Sequence, residues 1–446
     1  MFRRIITIEI ERWKETYEGR SCLLIEGARR VGKTTAATEF AKENYRSYAL
    51  IDFSEPSSKR ISKMISEGFD NLDELFREIA RISKVRLYER NSVIIFDEVQ
   101  LFPPARELIK HLVADGRYDY IETGSPITMK KEKGILNPSE EHPIRMYPMT
   151  FEEFCWATGN VDTYEDIKEH FESRRPMGRY AHEACLKLFR TYMLVGGMPA
   201  AVSAFVENND YSFVETVKKD ILSLYSNDSE KLVSGRRIRG RRLFRSIPWN
   251  LASDNKIFRV SKVEAGGKKE DYLDLVDSLE GSGMANVCYN LRILDRAYDM
   301  YSIDDEFKIY MNDTGLLLTS SFGIEGTEEE LYDAIIDDDL SVNEGMFFEN
   351  AVSQELRASG HELHYFTFYP KESSTNIHEI DFILQDDKGI TAVEVKSGKR
   401  TTKHASLDHL IEDFPKIVRS SYVIHSKDFR VDGNVTYIPI YMAGLL

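Results

Sequence analysis

GARRVGKT, residues 27–34, fits the phosphate-binding pattern G-x-x-x-x-G-K-[ST] at every constrained position. Its two glycines allow backbone conformations that aim successive N–H groups at the phosphates of a nucleotide. Lys33 adds a positive charge for the β- and γ-phosphates, and Thr34 offers a hydroxyl to Mg²⁺. Thr34 also begins a predicted helix, whose N-terminus favours anions. The predicted nucleotide-binding residues are therefore Gly27, Ala28, Arg29, Arg30, Val31, Gly32, Lys33, Thr34 and Thr35.

The residues on either side of this loop support the motif. Residues 21–25 (SCLLI) form a short apolar run that is typical of a buried strand, and residues 35–44 have helical composition. They supply the strand and the helix between which a phosphate loop lies. A glycine-rich turn that matches the pattern by chance is the weaker interpretation with these flanks.

A second predicted apolar strand is followed directly by two acidic residues. Residues 92–96 (SVIIF) predict a buried strand, and Asp97 and Glu98 follow at its carboxyl end, where ligands bind in open α/β sheets. Asp97 would hold Mg²⁺ through water. Glu98 would orient and deprotonate the water that attacks the γ-phosphate.

A third strand, residues 118–121, ends in the sequence ETGS. The hydroxyl groups of Thr123 and Ser125 could contact the γ-phosphate or the attacking water from this neighbouring strand, and a simple strand-ending turn is the alternative. Strands alternate with helices over this part of the chain, and polar residues collect at strand ends. The pattern predicts an α/β domain with a parallel sheet over residues 1 to about 148.

The composition limits the class of protein. A chain of 446 residues is too long for one ordinary core, and shares of 42% apolar and 30% charged residues are those of globular proteins. The net charge of −15 restricts any nucleic-acid contact to local basic patches. The four cysteines have no paired spacing, and no apolar run approaches a membrane span. We therefore expect a cytoplasmic protein without a zinc site, a disulfide framework or membrane contact.

Four strings resemble the AAA_14/DUF4143 proteins, prokaryotic AAA+ ATPases of largely unassigned role: FDEVQLFP at 96–103, ETGS at 122–125, YPMTFEEF at 147–154 and YMLVGGMP at 192–199. The resemblance covers nearly the whole chain and implies a multidomain α/β fold. The implied domains are a RecA-like P-loop AAA+ core at 1–148, a helical lid at 149–232, a winged-helix-like domain at 233–322 and a restriction-endonuclease-like α/β domain, related to the PD-(D/E)xK nucleases, at 323–446.

The resemblance also implies roles for single residues. Lys33 and Thr34 would bind the phosphates of ATP and Mg²⁺, Asp97 and Glu98 would serve hydrolysis, and Thr123 or Ser125 would act as sensor. The stretch TFEE at 150–153 is a capping-box pattern, which predicts a helix with Thr150 as its N-cap at the entry to the lid.

A separate set of polar residues lies in the last predicted domain. Residues 343–359 predict a helix with Asn343 as its N-cap and with Glu349 beside its apolar face. Residues 380–384 (IDFIL) and 390–396 (ITAVEVK) predict two strands joined by the hairpin turn QDDKG.

A short turn there would place Asp381 opposite Glu394, and strand alternation puts Glu394 and Lys396 on one face. Asp381 and Glu394 can bind one or two Mg²⁺ ions at a scissile phosphate, and Lys396 can orient or activate a water. The set Glu349, Asp381, Glu394-x-Lys396 is similar to the PD-(D/E)xK pattern. From the residues alone, a half-exposed strand with alternating charges is the competing interpretation.

Residues 235–245 (GRRIRGRRLFR) hold six arginines in an otherwise acidic chain. They could contact the phosphates of DNA, or they could pair with carboxylates inside the protein.

We therefore predict an Mg²⁺-dependent, ATP-hydrolysing AAA+ protein that couples its nucleotide state to a C-terminal nuclease-like module acting on DNA. The alternative is a nucleotide-switched regulatory ATPase that binds partners and uses an inactive nuclease fold for docking. The expected partners are ATP and DNA, with a homo-oligomer as a further option. The predicted catalytic residues are Lys33, Glu98, Glu349, Asp381, Glu394 and Lys396, and the predicted metal ligands are Thr34, Asp97, Asp381 and Glu394.

Overall fold

The computed structural model describes residues 2–69, 71–125, 139–233, 235–253, 255–295, 302–322, 332, 335, 344–371, 376–386, 389–397 and 404–446. They divide into two compact units. Unit 1 consists of Met1–Tyr147 with Gly281–Gly283, and unit 2 consists of Pro148–Glu280 with Met284–Leu446. Within the described ranges, no helix has both the length and the apolar character that a membrane crossing requires.

Unit 1 contains a five-stranded parallel sheet and, among the residues that the structure describes, five α-helices. The strands are β1 (Cys22–Gly27), β2 (Ser47–Asp52), β3 (Ser92–Asp97), β4 (Asp119–Gly124) and β5 (Glu141–Met146). The helices are α1 (Ile6–Tyr17), α2 (Lys33–Asn44), α3 (Lys59–Glu67), α4 (Leu72–Ser83) and α5 (Pro104–Asp115). The strand order is β2-β3-β4-β1-β5, and every neighbouring pair is parallel. The predicted α/β fold with a parallel sheet is confirmed.

The strand order brings the predicted nucleotide residues to one edge of this sheet. β3 is buried at all six positions, as a strand covered on both faces of a parallel sheet must be. β4 lies between β1 and β3, so the carboxyl ends of these three strands are neighbours. The phosphate loop leaves β1, the acidic pair lies at the end of β3, and the ETGS string ends β4. The sheet therefore collects three separate motifs at one place.

Ten α-helices of unit 2 have both ends within the residues that the structure describes. They are α6 (Phe151–Ala157), α7 (Val161–Glu172), α8 (Arg179–Val195), α9 (Pro199–Asn208), α10 (Tyr211–Ser229), α11 (Arg237–Leu251), α12 (Glu270–Gly281), α13 (Thr314–Phe322), α14 (Glu344–Ala358) and α15 (Ala405–Asp413). The predicted capping box starts α6: Glu153 N donates to Thr150 Oγ1 at 3.3 Å, and Thr150 N donates to Glu153 Oε2 at 3.1 Å. The predicted N-cap Asn343 lies outside the described residues, as do residues 387 and 388 of the predicted turn.

Unit 2 also contains an eight-stranded mixed sheet. Its strands are β6 (Ala285–Leu291), β7 (Ser302–Met311), β8 (His364–Phe368), β9 (His378–Asp386), β10 (Gly389–Lys396), β11 (Val418–His425), β12 (Arg430–Asp432) and β13 (Val435–Pro439), in the order β12-β13-β11-β10-β9-β8-β6-β7. β8, β9 and β10 form an antiparallel meander, and β11 lies parallel to β10 after the crossover helix α15. A separate C-terminal sheet, as the predicted fold class requires, is thus present.

The stretch predicted as a winged-helix-like domain contributes to this same sheet. β6 pairs in parallel with β8 through Tyr289 and His364, Asn290 and Tyr365, and Leu291 and Phe366, and β7 pairs with β6. The division into four domains remains a prediction, whereas the backbone hydrogen bonds join β6 and β7 to the strands that follow residue 322.

Glu355, the Tyr192 hydroxyl and the backbone N–H of Phe151 form a buried polar cluster that connects three segments of unit 2. We call it the Glu355 cluster. Glu355 Oε1 accepts hydrogen bonds from Phe151 N at 3.0 Å and from the Tyr192 hydroxyl at 2.7 Å. Beside it, a backbone hydrogen bond runs from Met149 N to Gly197 O at 2.6 Å. These contacts tie the start of α6 to α8 and to α14.

Burial governs the ionisation of this cluster. The Glu355 side chain lies within the core of unit 2, and burial raises its pKa to about 7, although the hydrogen bonds from Tyr192 and Phe151 act in the opposite direction. Burial is thus the main reason that the pKa of Glu355 lies near neutral pH.

Candidate functional site

The loop between β1 and α2 has the backbone that a phosphate loop needs. Gly27 ends β1 with φ 156°, and Gly32 precedes α2 with φ 101°, both in the region that favours glycine. A Cβ atom on Gly27 would lie 2.3 Å from the carbonyl oxygen of Met146 on β5. Position 27 thus requires glycine for two reasons, the close approach of β5 and the positive φ angle.

Lys33 lies inside this loop. Its side chain is buried, and its ammonium group donates to the carbonyl oxygens of Gly27 at 3.0 Å and Ala28 at 2.9 Å. Burial lowers the pKa of Lys33, while the carboxylates of Glu98 and Asp97 act to raise it. Of the other predicted loop residues, the exposed ones are Arg29, Arg30 and Thr35, and the buried ones are Ala28 and Val31.

Asp97 is the centre of a hydrogen-bonded set of three predicted residues. The Thr34 hydroxyl lies 2.8 Å and 2.9 Å from the two carboxylate oxygens of Asp97, and the Thr123 hydroxyl donates to Asp97 Oδ1. Burial raises the pKa of Asp97, and the hydrogen bonds from Thr123 and Thr34 partly offset this rise. Oxygen atoms from α2, β3 and β4 thus lie close together. Oxygen is the ligand atom that Mg²⁺ prefers.

Glu98 is held by a residue that the sequence analysis did not select. Glu98 adopts φ 56° directly after β3, and Gln100 Nε2 donates to its Oε2 atom. Gln100 Oε1 in turn accepts from Ser125 N at 3.1 Å. Among the described residues, the buried Ser125 Oγ has no hydrogen-bond partner. Gln100 therefore links the predicted catalytic carboxylate to the predicted sensor, and its only signal was its place in the string FDEVQ.

A buried ion pair in unit 1 joins α5 to β5. Arg106 on α5 pairs with Glu141 at 2.6 Å, with 4% and 6% of the two side chains exposed. Glu122 of the ETGS string is fully buried, and burial and then Glu141 raise its pKa well above the ordinary range. Glu122 is thus part of the core and lies next to Thr123 in sequence.

The structure also brings the predicted C-terminal residues together. β9 and β10 pair with Phe382 opposite Val393, so Asp381 and Glu394 are adjacent across the two strands. Glu394 Oε1 forms an ion pair with Lys396, and Val395 N donates to Asp381 Oδ2 at 2.8 Å. Burial, and then the Asp381 carboxylate, raise the pKa of Glu394 to about 7.

Two lysines that the sequence analysis did not select enter this acidic site. Lys308 Nζ on β7 lies 2.8 Å from Glu379 Oε1, 3.3 Å from Glu349 Oε1 and 4.0 Å from Asp381 Oδ1. Lys256 pairs with the other oxygen of Glu349. Burial alone would raise the pKa of Glu349, but Lys308 and Lys256 lower it to about 2. In the part of the chain that the structure describes, no three His, Cys, Asp or Glu side chains are grouped to hold a metal ion.

Four of the six arginines in residues 235–245 pair with carboxylates of unit 2. Arg239 pairs with Glu264 at 3.0 Å, and Arg241 pairs with Glu230 at 2.9 Å. Arg236 and Arg242 make longer ion pairs, at 3.6 Å and 3.7 Å. Internal pairing, one of the two interpretations of this stretch, thus accounts for most of its charge, while DNA contact remains a prediction.

Comparison with known proteins identifies three regions of the chain. A family model described as AAA domain (AAA_14) matches residues 19–155. Two models for domains of unknown function, DUF8612 and DUF4143, match residues 186–327 and 344–442. No match to the chain was found among curated proteins.

Three solved structures are similar to parts of the chain. The Walker-type ATPase PABY2304 of Pyrococcus abyssi is 16% identical over 72% of this chain and 96% of its own, with a TM-score of 0.43. A RuvB variant of Thermotoga maritima is 12% identical over 63% and 87% of the two chains, with a TM-score of 0.29. Drosophila ORC bound to DNA is 13% identical over 71% and 94%, with a TM-score of 0.27. By its family matches, the chain carries an AAA domain of the AAA_14 family and a DUF4143 domain.

Proposed function

We propose that the chain is an Mg²⁺-dependent ATPase whose chemistry lies in unit 1. The observation that carries the proposal is the set formed by Thr34, Asp97 and Thr123 beside the buried Lys33. Thr34 would ligate Mg²⁺, and Asp97 would hold it through water. When bound, Mg²⁺ neutralises part of the charge on the β- and γ-phosphates.

The remaining residues of the site have separate tasks. Lys33 binds the β- and γ-phosphates, to which the N-terminus of α2 also contributes. Glu98 orients the attacking water and accepts its proton. Gln100 fixes the position of the Glu98 carboxylate and connects it to Ser125.

The test compares ATP binding and ATP hydrolysis in the wild type, Lys33→Ala and Glu98→Gln. We expect Lys33→Ala to lose ATP binding, whereas Glu98→Gln binds ATP and hydrolyses it ~100-fold more slowly, because a general base contributes about that factor or more. The matched control is Lys42→Ala, which removes a lysine on the same helix that is 52% exposed and pairs with Glu39. Two results would contradict the proposal. One is ATP hydrolysis by Glu98→Gln at the wild-type rate, and the other is ATP hydrolysis by the wild type without Mg²⁺.

A second proposed function concerns the acidic site of unit 2. The adjacency of Asp381, Glu394 and Lys396 supports a metal-dependent nuclease that acts on DNA and is coupled to the nucleotide state of unit 1. Asp381 and Glu394 would bind the metal at a scissile phosphate, and Lys396 would orient a water.

The test measures cleavage of supercoiled, linear, branched and single-stranded DNA with Mg²⁺ or Mn²⁺, with and without ATP. We expect metal-dependent cutting by the wild type and none by Asp381→Ala. Asp432→Ala, at an exposed position on β12 of the same sheet, is the matched control. If no substrate is cut while ATP hydrolysis is intact, the regulatory alternative, in which the C-terminal fold only docks partners, replaces the nuclease.

A further inference from the structure

The acidic site of unit 2 is nearly neutral by its own residues. Four carboxylates face three ammonium groups in adjoining ion pairs. The carboxylates are those of Glu349, Glu379, Asp381 and Glu394, and the ammonium groups are those of Lys256, Lys308 and Lys396. The protein therefore brings most of the positive charge that such a group of carboxylates needs.

Lys308 is the most enclosed of these cations. Its side chain is 1% exposed, compared with 22% for Lys256 and 30% for Lys396. Its ammonium lies 4.9 Å from the centre of the Tyr365 ring and faces Glu379, Glu349 and Asp381. The ammonium group donates hydrogen bonds to Glu379 and Glu349, and the Asp381 carboxylate lies 4.0 Å away.

In this position Lys308 competes with any metal ion that binds the same carboxylates. A divalent cation needs several oxygen atoms at short distances around it, and it repels a nearby ammonium strongly where little water screens the charges. The oxygens of Glu349 and Asp381 that face Lys308 would have to serve two cations. Because Lys308 is buried between them, it cannot turn into solvent without a change in the packing of β7.

We propose that Lys308 is the resident cation of this acidic site and keeps the affinity of Asp381 and Glu394 for divalent metal ions low. The inference rests on the proposed nuclease-like site, and it says that a cation of the protein itself competes there with a metal ion. Lys308 acts through the carboxylates that it contacts. It is a positioning residue that determines how tightly those carboxylates bind a metal ion.

The experiment measures Mn²⁺ binding to the nucleotide-free protein by titration calorimetry in the wild type, Lys308→Met and Lys308→Met with Asp381→Asn. We expect the affinity of the Asp381-dependent site for Mn²⁺ to be about tenfold higher, or more, in Lys308→Met than in the wild type, because the competing charge is gone. The added Asp381→Asn exchange should abolish this gain. Lys371→Met, which removes a lysine that is 71% exposed, should leave Mn²⁺ binding unchanged.

Removal of Lys308 leaves buried carboxylates without their partner, so Lys308→Met combined with Glu379→Gln is measured as well, because it removes one charge of each sign. Asp381-dependent Mn²⁺ binding with equal affinity in the wild type and in both Lys308 variants would overturn the inference. So would the absence of any gain in folded Lys308 variants. The nuclease proposal fails on a different observation, the absence of DNA cutting, and the two failures are therefore distinguishable.

Discussion

We predict that the Glu355 cluster makes the stability of unit 2 depend on pH. Glu355 is buried in the folded protein, where its pKa is about 7 instead of 4.5. A carboxyl group whose pKa is higher in the folded state than in the unfolded state favours folding fully at low pH. Its contribution is lost as the pH rises through 4.5 towards and past 7. Exchange of Glu355 for Gln removes the ionisation and keeps an oxygen that can accept from Tyr192 and Phe151.

The size of the effect follows from the pKa difference. One pKa unit corresponds to about 1.4 kcal/mol, so a rise from 4.5 to about 7 corresponds to on the order of 3 kcal/mol. The wild type should therefore lose ~3 kcal/mol of unfolding free energy relative to Glu355→Gln between about pH 4.5 and pH 8. At pH 8, this is a large fraction of the stability of a typical domain.

The assay is urea unfolding of both proteins at several pH values, followed by tryptophan fluorescence. The quantity of interest is the difference in unfolding free energy between Glu355→Gln and the wild type, plotted against pH. Glu172→Gln, at an exposed position at the end of α7, is the control. A difference between Glu355→Gln and the wild type that stays constant from pH 5 to pH 8 would refute the reasoning.

Two further substitutions test the packing described above. We expect Gly197→Ala to destabilise unit 2 by about 3 kcal/mol or more, because the added Cβ would lie 2.1 Å from Met149 O. Thermal unfolding measures this loss. The control is Gly281→Ala, where an added Cβ meets nothing within 4 Å. We expect Arg106→Met to cost about 3–5 kcal/mol, because it leaves Glu141 buried without its partner. Exchanging Glu141 for Met as well should recover most of that loss, and an Arg106→Met protein as stable as the wild type would contradict the ion pair's role.

The placement of the proposed nucleotide-site residues was largely predictable because these residues lie in short local patterns. Lys33, Thr34 and Asp97 follow strands whose apolar residues mark them, and parallel strands bring their carboxyl ends to one edge. β5 was not predicted. Its sequence EHPIRM contains Pro143 and few strand-forming residues, which the sheet tolerates because β5 is an edge strand paired only with β1.

The acidic site of unit 2 was predictable only in part. Asp381 and Glu394 lie on two strands joined by a short turn, so the alternation of their side chains can be read from the sequence. Lys308 comes from β7, and its approach to Asp381 depends on the pairing of β6 with β8. The sequence separation between these strands is long, and no local pattern indicates such a pairing. The same holds for Lys256, which reaches Glu349 across 93 positions.

The pairing of β6 with β8 has a consequence for how the chain can be dissected. A fragment cut at the start of the DUF4143 match, residue 344, would retain β8 but lose β6 and β7. The strand HYFTF would then present a row of unsatisfied N–H and C=O groups along an apolar edge, the kind of edge that recruits other chains. Sequence-defined family boundaries therefore cut through this sheet, and a soluble fragment should begin before β6, at α12 or earlier.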